Sequence, residues 1–189
     1  MNTPDTIKVW DLPLRLFHWL LVAGFFTAYI TEDELLNVHV LAGYLVFGLL
    51  LFRVIWGFTG NGYARFSSFL CAPTQSIQYL KDLAKHSAKR YIGHNPAGAA
   101  MIVLLLFSLL MTSLTGFAVY GADQAAGPLA AIGATYEEFW EESHEFFANF
   151  TLLLVIVHVV GVVVESIIHR ENLAKAMLHG FKKAPPNAD

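Results

Sequence analysis

Residues 144–158 read HEFFANFTLLLVIVH, an apolar run that begins and ends with histidine. We expect both histidines to lie on one helix, fourteen residues apart. Fourteen residues make just under four helical turns, so the two imidazoles lie on nearly the same face, about 21 Å apart along the axis. This separation places one imidazole near each surface of the hydrocarbon layer of a bilayer.

The composition indicates a membrane protein. Hydrophobic residues make up 56% of the 189 residues, charged residues make up 14%, and the mean hydropathy is +0.51. Soluble domains carry a charged fraction of about 25%. At this length we expect a single domain over residues 1–189, with no room for a separate catalytic module.

Four apolar segments are long enough to cross about 30 Å of hydrocarbon with modest tilt. Pro13 and Pro96 stand where two of these segments begin, at positions that suit a first helical turn. A chain of this size has too little polar surface to cover four such helices in a soluble protein. We therefore predict an all-α integral membrane four-helix bundle, with spans at residues 14–30, 38–58, 97–120 and 146–168.

The basic residues predict the orientation of the chain. If the chain crosses the membrane four times, all twelve lysine and arginine residues fall on one side. The loops on the other side contain no basic residue, and their acidic residues include Glu32, Asp33, Glu34, Asp123, Glu137, Glu138, Glu141 and Glu142. The positive-inside rule then places both termini and the second loop in the cytoplasm.

The second loop contains an amphipathic segment at residues 73–90. Ile77, Leu80, Leu83 and Ala84 share one face of it at helical spacing, while its lysines lie elsewhere. We expect this face to rest on lipid at the inner membrane surface. A docking site for a cytoplasmic protein is the alternative.

The predicted topology sorts four histidines into two depths. His18 and His158 lie near the inner surface, whereas His39 and His144 lie near the outer surface. Two neutral imidazoles give a low-spin haem iron without an open position, which suits electron transfer. Because Cys71 is the only cysteine, attachment through Cys-x-x-Cys-His is excluded. The sequence therefore predicts two non-covalent bis-histidine haems held by three helices.

Other interpretations of the histidines stay open. A single membrane histidine often hydrogen-bonds across helices, and the four could form a proton relay. They cannot share one metal ion, because the two levels are about 20 Å apart. His94, which precedes the third span, either neighbours a helix cap or faces a quinone or a haem propionate. The remaining histidines, His86, His169 and His179, are expected at the inner surface.

Haem requires space and counter-charges as well as ligands. Gly43, one turn past His39, is the best candidate for clearance, although close helix packing is the commoner use of a membrane glycine. Arg15, three residues before His18, lies on the same side of its helix and can meet a propionate near the inner surface. Arg53 is the second cationic candidate.

The chain resembles the four-helix bacterial cytochrome b561 family, which includes the cytochrome b subunits of nickel-iron hydrogenases. The matching segments are VWDLPLRLFHW (9–19), the region around His39 and Gly43, FRVIWGFTGNGYARF (52–66), YIGHNPAGAAMIVLLL (91–106), and the last span with its two histidines. They cover nearly the whole chain. The resemblance implies two b haems, with His18, His39, His144 and His158 matching the axial ligands of the family.

The resemblance also implies an electron-transfer protein of the bacterial inner membrane, for which we assign no catalytic residue. Whether it forms part of a quinone oxidoreductase stays open. Electrons would pass between ubiquinone or menaquinone and a redox partner such as a periplasmic c-type cytochrome. The acidic outer loop could steer a basic partner. Arg15, His94 and Asn95 are the quinone candidates. The alternatives are a stand-alone superoxide:quinone oxidoreductase, a hydrogenase subunit, and a transporter or structural subunit without haem; no nucleic-acid partner is expected.

Overall fold

The computed structural model describes residues 6–32 and 34–184, so that Asp33 of the predicted outer acidic group lies outside the described residues. Helices dominate this part of the chain, and two short strands lie near its ends. In chain order the elements are β1 (Thr6–Lys8), α1 (Leu12–Ile30), α2 (Leu36–Thr59), α3 (Pro73–Ala84), α4 (Pro96–Gln124), α5 (Ala130–Gly133), α6 (Glu137–Ile168), α7 (Leu173–His179) and β2 (Phe181–Lys183).

Four of these helices, α1, α2, α4 and α6, are long and apolar enough to cross a membrane. They coincide with the four predicted spans. They also expose large apolar side chains, for example Leu41 at 70% and Ile167 at 71% of their possible area. Apolar surface of this extent is unfavourable in water and favourable in lipid. The chain is therefore a multi-pass helical membrane protein.

Helix α6 begins at Glu137, nine residues before the predicted start of the last span. The acidic residues of its first turn, Glu137 and Glu138, suit the positive end of a helix dipole. The hydropathy of the sequence marks only the apolar part of this helix. As a result His144 lies well inside α6, and both His144 and His158 belong to one continuous helix.

The described chain divides into two compact units, and the boundaries between them fall inside the four long helices. The first unit comprises residues 6–17, 53–103 and 156–184. The second unit comprises residues 18–32, 34–52 and 104–155. The two units are described separately below.

The second unit has a small apolar core and a buried polar contact. Its core consists of Phe25, Val46, Leu50 and Leu109. The hydroxyls of Ser108 and Thr151, both completely buried, are 2.6 Å apart and join α4 to α6. A hydrogen bond of this kind holds helices together where apolar side chains gain little by leaving lipid.

In the first unit, β1 and β2 pair in antiparallel register, with Ile7 opposite Lys182. Gly180, which ends α7, has a φ of 91° and accepts hydrogen bonds from the backbone N–H groups of Val9 and Trp10. A Cβ atom at this position would lie 2.5 Å from the Trp10 carbonyl oxygen. The positive φ and the close backbone approach both require glycine.

Helix α3 covers only the first part of the predicted amphipathic segment, because it ends at Ala84 and His86 has a φ of 56°. Ile77 and Leu80 are more than half exposed, as expected for a face that rests on lipid. The opposite face packs on protein, where Ser76 donates to the Pro96 carbonyl oxygen at 2.8 Å. The helix is thus attached to the first unit by its polar side.

A buried ion pair ties the residues after α6 to the second loop. Glu171 lies 3.0 Å from Arg90 Nη2 and 3.4 Å from Lys182 Nζ, and it accepts a hydrogen bond from the Lys183 backbone N–H. Burial opposes ionisation of this carboxyl, but the hydrogen bonds from Arg90 and Lys183 outweigh it and hold the pKa of Glu171 below its usual value of 4.5. The carboxylate therefore stabilises the folded state at neutral pH.

We expect Glu171→Gln to lower the free energy of unfolding by about 1.5–3 kcal/mol at neutral pH, the usual range for a charged hydrogen bond. The difference in free energy of unfolding between wild type and variant should begin to shrink as the pH falls to about 4.5. It should disappear once the pH is below the lower pKa of Glu171 in the folded state, because the carboxylate is then protonated. Thermal unfolding in detergent at both pH values measures this, with the exposed Asp123→Asn as the control. A gap between wild type and variant that persists undiminished in acid would contradict the expectation.

Candidate functional site

In the second unit, α2 and α6 bring His39 and His144 together. Their ring centroids are 5.9 Å apart, and the ring planes make an angle of 85°. Metal–imidazole bonds are about 2 Å long, so two imidazoles on opposite sides of one metal ion have centroids about 6 Å apart. The observed spacing is compatible with two imidazoles that bind one metal ion.

Backbone carbonyl groups fix the orientation of both rings. His39 Nδ1 lies 2.9 Å from the carbonyl oxygen of Ala28, and His144 Nδ1 lies 3.0 Å from that of Thr112. A carbonyl oxygen can only accept, so in each ring Nδ1 carries the proton and donates it. The lone pair of each neutral imidazole is then on Nε2, which is the usual arrangement in a metal-ligating histidine.

Gly116 on α4 makes room for the ring of His144. A Cβ atom on Gly116 would lie 2.8 Å from Cε1 and 3.1 Å from Nδ1 of this ring. The first distance is shorter than ordinary van der Waals contact allows, so any larger side chain would displace the imidazole. Gly116 is therefore a requirement of the site, whereas the sequence did not distinguish it from the other membrane glycines.

A cavity of about 70 Å³ adjoins the two rings. Gly43 lines it, and a Cβ atom built on Gly43 would meet no heavy atom within 4 Å. That this space serves haem stays a prediction from the sequence. Apart from the two histidines, the polar side chains of the lining are Tyr29, Glu32, Thr112, Ser113 and Tyr120, and none is basic.

His18 and His158 belong to different units. His18 lies on the part of α1 that belongs to the second unit, with its ring edge-on to Trp19 at 5.0 Å. His158 lies on the part of α6 that belongs to the first unit. Both side chains are half-buried. Their pairing as ligands remains a prediction from the sequence.

The two arginines predicted to meet a propionate each retain a buried N–H group that finds no acceptor among the described residues. Arg53 is 2% exposed and lies 4.6 Å from the centroid of the Phe66 ring, and within residues 6–32 and 34–184 its Nη1 has no partner. Arg15 donates to the carbonyl oxygen of Leu178, while its Nε has no partner in the same part of the chain. An unsatisfied buried donor costs about 1–3 kcal/mol, so both guanidinium groups favour an anionic ligand.

The quinone candidates have distinct surroundings in the first unit. The His94 ring lies between Trp10 and Phe69, at centroid distances of 4.6 Å and 4.7 Å. Asn95 Oδ1 accepts a hydrogen bond of 2.7 Å from the backbone N–H of Gly98, so Asn95 caps α4. The sequence offered the capping function for this region as one of two possibilities, and the structure shows it at Asn95.

Among the residues that the structure describes, no group of three or more histidine, cysteine or acidic side chains forms a metal site. A bare metal ion in a protein usually requires three or four protein ligands. The paired imidazoles of the second unit, with both Nε2 lone pairs available and a cavity beside them, instead suit the iron of a haem. Such a site in a protein with four membrane-crossing helices defines a membrane cytochrome b.

The chain belongs to the prokaryotic cytochrome b561 family, whose model matches residues 9–180. A probable Ni/Fe-hydrogenase B-type cytochrome subunit from Cupriavidus necator is 30% identical, with 92% of this chain and 86% of that protein covered. Proteins of the same description from Rhizobium leguminosarum bv. viciae and Azotobacter vinelandii are 26% and 27% identical, each with 93% of this chain and 88% of the relative covered. No solved structure gave a significant match.

The family implies that the group bound by this chain is haem b. The relatives are somewhat larger, because the alignment with the Rhizobium protein occupies 214 positions while this chain has only 189 residues. Residues of that protein therefore have no counterpart here. The four long helices and both pairs of histidines nevertheless lie within the matched range, residues 9–180.

We expect Gly116→Ala to weaken haem binding, because the added methyl group displaces the His144 ring. Overpacking of this kind costs about 1–3 kcal/mol, which corresponds to about a 5- to 150-fold loss of haem affinity. The pyridine haemochrome of the purified protein measures bound haem. Gly48→Ala is the matched control, since a Cβ atom there meets nothing within 4 Å. Equal haem content in the two variants would rule out the role given to Gly116.

Proposed function

We propose that this chain is a di-haem cytochrome b that carries electrons across the bacterial inner membrane between an outer redox partner and the quinone pool. The observation that supports it best is the geometry of His39 and His144. Their spacing suits one metal ion, and their Nδ1 hydrogen bonds leave both Nε2 lone pairs available. Two imidazole ligands leave no open position on iron, which favours electron transfer over oxygen activation.

The second haem is proposed from the sequence. His18 and His158 are assigned to it because four crossings of the membrane place both near the inner surface. Arg15 and Arg53 lie at the same predicted depth and would donate their unsatisfied N–H groups to its propionates. With both termini cytoplasmic, as the basic residues indicate, the two haems would lie at different depths of the bilayer.

Bound haem b would supply one-electron redox chemistry. The protein supplies the rest of the function. The carbonyl oxygens of Ala28 and Thr112 orient the outer imidazoles, and the apolar helices exclude water from the site. Near the inner surface, His94 in its aromatic cluster and Arg15 are the proposed contacts for ubiquinone or menaquinone. Asn95 would position them by capping α4.

A hydrogenase is the outer partner that the comparisons favour. The relatives are named as B-type cytochrome subunits of Ni/Fe-hydrogenases. The outer loops of this chain are acidic and would attract a basic face of the partner, whether a hydrogenase or a periplasmic c-type cytochrome. No feature of the site favours superoxide as the electron donor.

The charges of the chain favour electron flow from the outer haem to the inner one. Residues 18–52 and 104–155 contain nine acidic residues and no lysine or arginine, whereas all twelve basic residues lie in the remainder. A negative environment stabilises ferric over ferrous haem and so lowers its midpoint potential. We therefore expect the haem of His39 and His144 to have the lower potential of the two.

The experiment that tests the proposed function is substitution of each histidine in turn. We expect His39→Ala and His144→Ala to remove one haem and His18→Ala and His158→Ala to remove the other, because each haem loses an axial ligand. Haem quantification and low-temperature spectra of the reduced protein distinguish the two haems. The exposed His86→Ala serves as the control and should retain both. Loss of the same haem by His39→Ala and His18→Ala would refute the pairing.

The order of the potentials has its own test. We expect a redox titration of the purified protein to show two steps, and His39→Ala should abolish the step at lower potential because the acidic residues act on that haem. Raising the ionic strength should bring the two steps closer together, since salt screens exposed charges. Loss of the higher step in His39→Ala would contradict the proposed direction of electron flow.

A further inference from the structure

Three hydroxyl groups form a cluster between α4 and α6 in the second unit. Ser108 Oγ lies 2.6 Å and Thr112 Oγ1 lies 3.2 Å from Thr151 Oγ1. Ser108 and Thr151 are completely buried, and Thr112 is half-buried. Hydrocarbon offers no partner to a hydroxyl, so this cluster is a directional attachment between two helices that are otherwise mainly apolar.

The carbonyl oxygens around the cluster show which hydroxyl donates to which. Thr151 Oγ1 lies 2.7 Å from the Phe147 carbonyl oxygen, which can only accept, so the Thr151 proton is used there. Thr151 Oγ1 must then accept from Ser108 across the 2.6 Å contact. Thr112 donates to the Ser108 carbonyl oxygen within α4 at 2.9 Å. The bond between the helices therefore requires the hydroxyl of Ser108 and the hydroxyl oxygen of Thr151.

The cluster adjoins the backbone group that orients His144. The carbonyl oxygen of Thr112 accepts from His144 Nδ1 at 3.0 Å. Thr112 follows Ser108 by one helical turn on α4, and Thr151 follows His144 by just under two turns on α6. The two helices are thus joined at two levels, by His144 to the Thr112 carbonyl and by Ser108 to Thr151.

The position of α4 along α6 decides whether His144 keeps its acceptor. A slip of one residue moves the Thr112 carbonyl by about 1.5 Å along the helix axis, and hydrogen bonds of this type extend to only about 3.2 Å. The same slip would move Gly116, which provides the space for the His144 ring. Apolar contacts are not directional, whereas the hydrogen bond between two buried hydroxyls holds one position.

We propose that Thr151 is a positioning residue for His144, because the hydrogen bond it accepts from Ser108 fixes the register of α4 on α6. The inference rests on the function proposed above, since it takes His144 as a haem ligand. An imidazole that donates from Nδ1 to a carbonyl oxygen is a more basic ligand and stabilises ferric over ferrous iron. By maintaining that donation, Thr151 lowers the midpoint potential of the haem of His39 and His144.

The test is a redox titration of the purified holoprotein and its variants. Thr151→Val keeps the shape of the side chain and removes the hydroxyl. We expect it to raise the midpoint potential of the step that His39→Ala abolishes and to leave the other step unchanged. Thr151→Ser retains the hydroxyl and should keep the wild-type potential. No shift in Thr151→Val, or an equal shift in Thr151→Ser, would overturn the inference.

Ser108→Ala removes the donor of the same hydrogen bond. It should shift the same step in the same direction, and it serves as the test if Thr151→Val does not fold or does not bind haem. The double variant should shift this step no further than the larger of the two single shifts, because one hydrogen bond is lost in all three. Shifts that add would contradict the shared bond.

Thr59→Val is the matched control. Thr59 is exposed near the end of α2, and its hydroxyl donates to the Ile55 carbonyl oxygen four residues earlier, as that of Thr151 does to Phe147. It should leave both steps at their wild-type potentials. A shift in Thr59→Val as large as that in Thr151→Val would refute the positioning role, and so would an equal shift of both haems in Thr151→Val.

The outcomes also distinguish this inference from the function on which it rests. Wild-type protein without two b haems, or a His144→Ala variant that retains both, would refute the proposed function. Two bound haems whose potentials are the same in wild type, Thr151→Val and Ser108→Ala would leave the proposed function in place and refute the positioning role of Thr151 alone.

Discussion

The site depends most on the hydrogen bonds from His39 and His144 to backbone carbonyl groups. A neutral imidazole has one N–H, so the donation to Ala28 or Thr112 decides which nitrogen remains for a metal. The Thr112 oxygen also accepts from the Thr115 hydroxyl, as a carbonyl with two lone pairs can. In hydrocarbon no water competes for these carbonyls. Since the acceptors are backbone atoms of helices, the ring orientation follows from helix packing and does not require a particular side chain to accept the Nδ1 proton.

The distribution of charge is the second constraint, and it acts on topology and electron transfer at once. All twelve basic residues lie outside residues 18–52 and 104–155, and the positive-inside rule predicts the orientation of the chain from this distribution. The same distribution leaves the cavity beside His39 and His144 without a basic side chain in its lining. Any carboxylate of a haem bound there would meet only neutral donors and acids. The unequal distribution of charge that predicts the orientation of the chain would therefore also separate the midpoint potentials of the two proposed haems.

The sequence was sufficient to predict what depends on hydropathy and periodicity. The four long helices, the open space at Gly43 and the closeness of His39 to His144 follow from apolar runs, spacing and topology. Contacts between residues far apart in sequence were not predictable in this way. The strands β1 and β2 have three residues each, which is too few for an alternating pattern to be recognised in the sequence. The carbonyl groups of Ala28 and Thr112 that accept from the histidines have no sequence signature, because every residue has a carbonyl group. The sequence shows Gly116 only as one of several membrane glycines. That this position must be glycine follows from the position of the His144 ring, which lies on another helix.

Two acidic residues near the end of α6 show how similar sequence positions acquire different roles. Glu171 is held by Arg90, Lys182 and the Lys183 backbone, and these donors keep it ionised, so it acts as a fixed structural charge. Glu165 contacts a phenol and an imidazole, and neither carries an obligatory charge. The same residue type is therefore an ion-pair partner at one position and the hydrogen-bond acceptor of a phenol at the other.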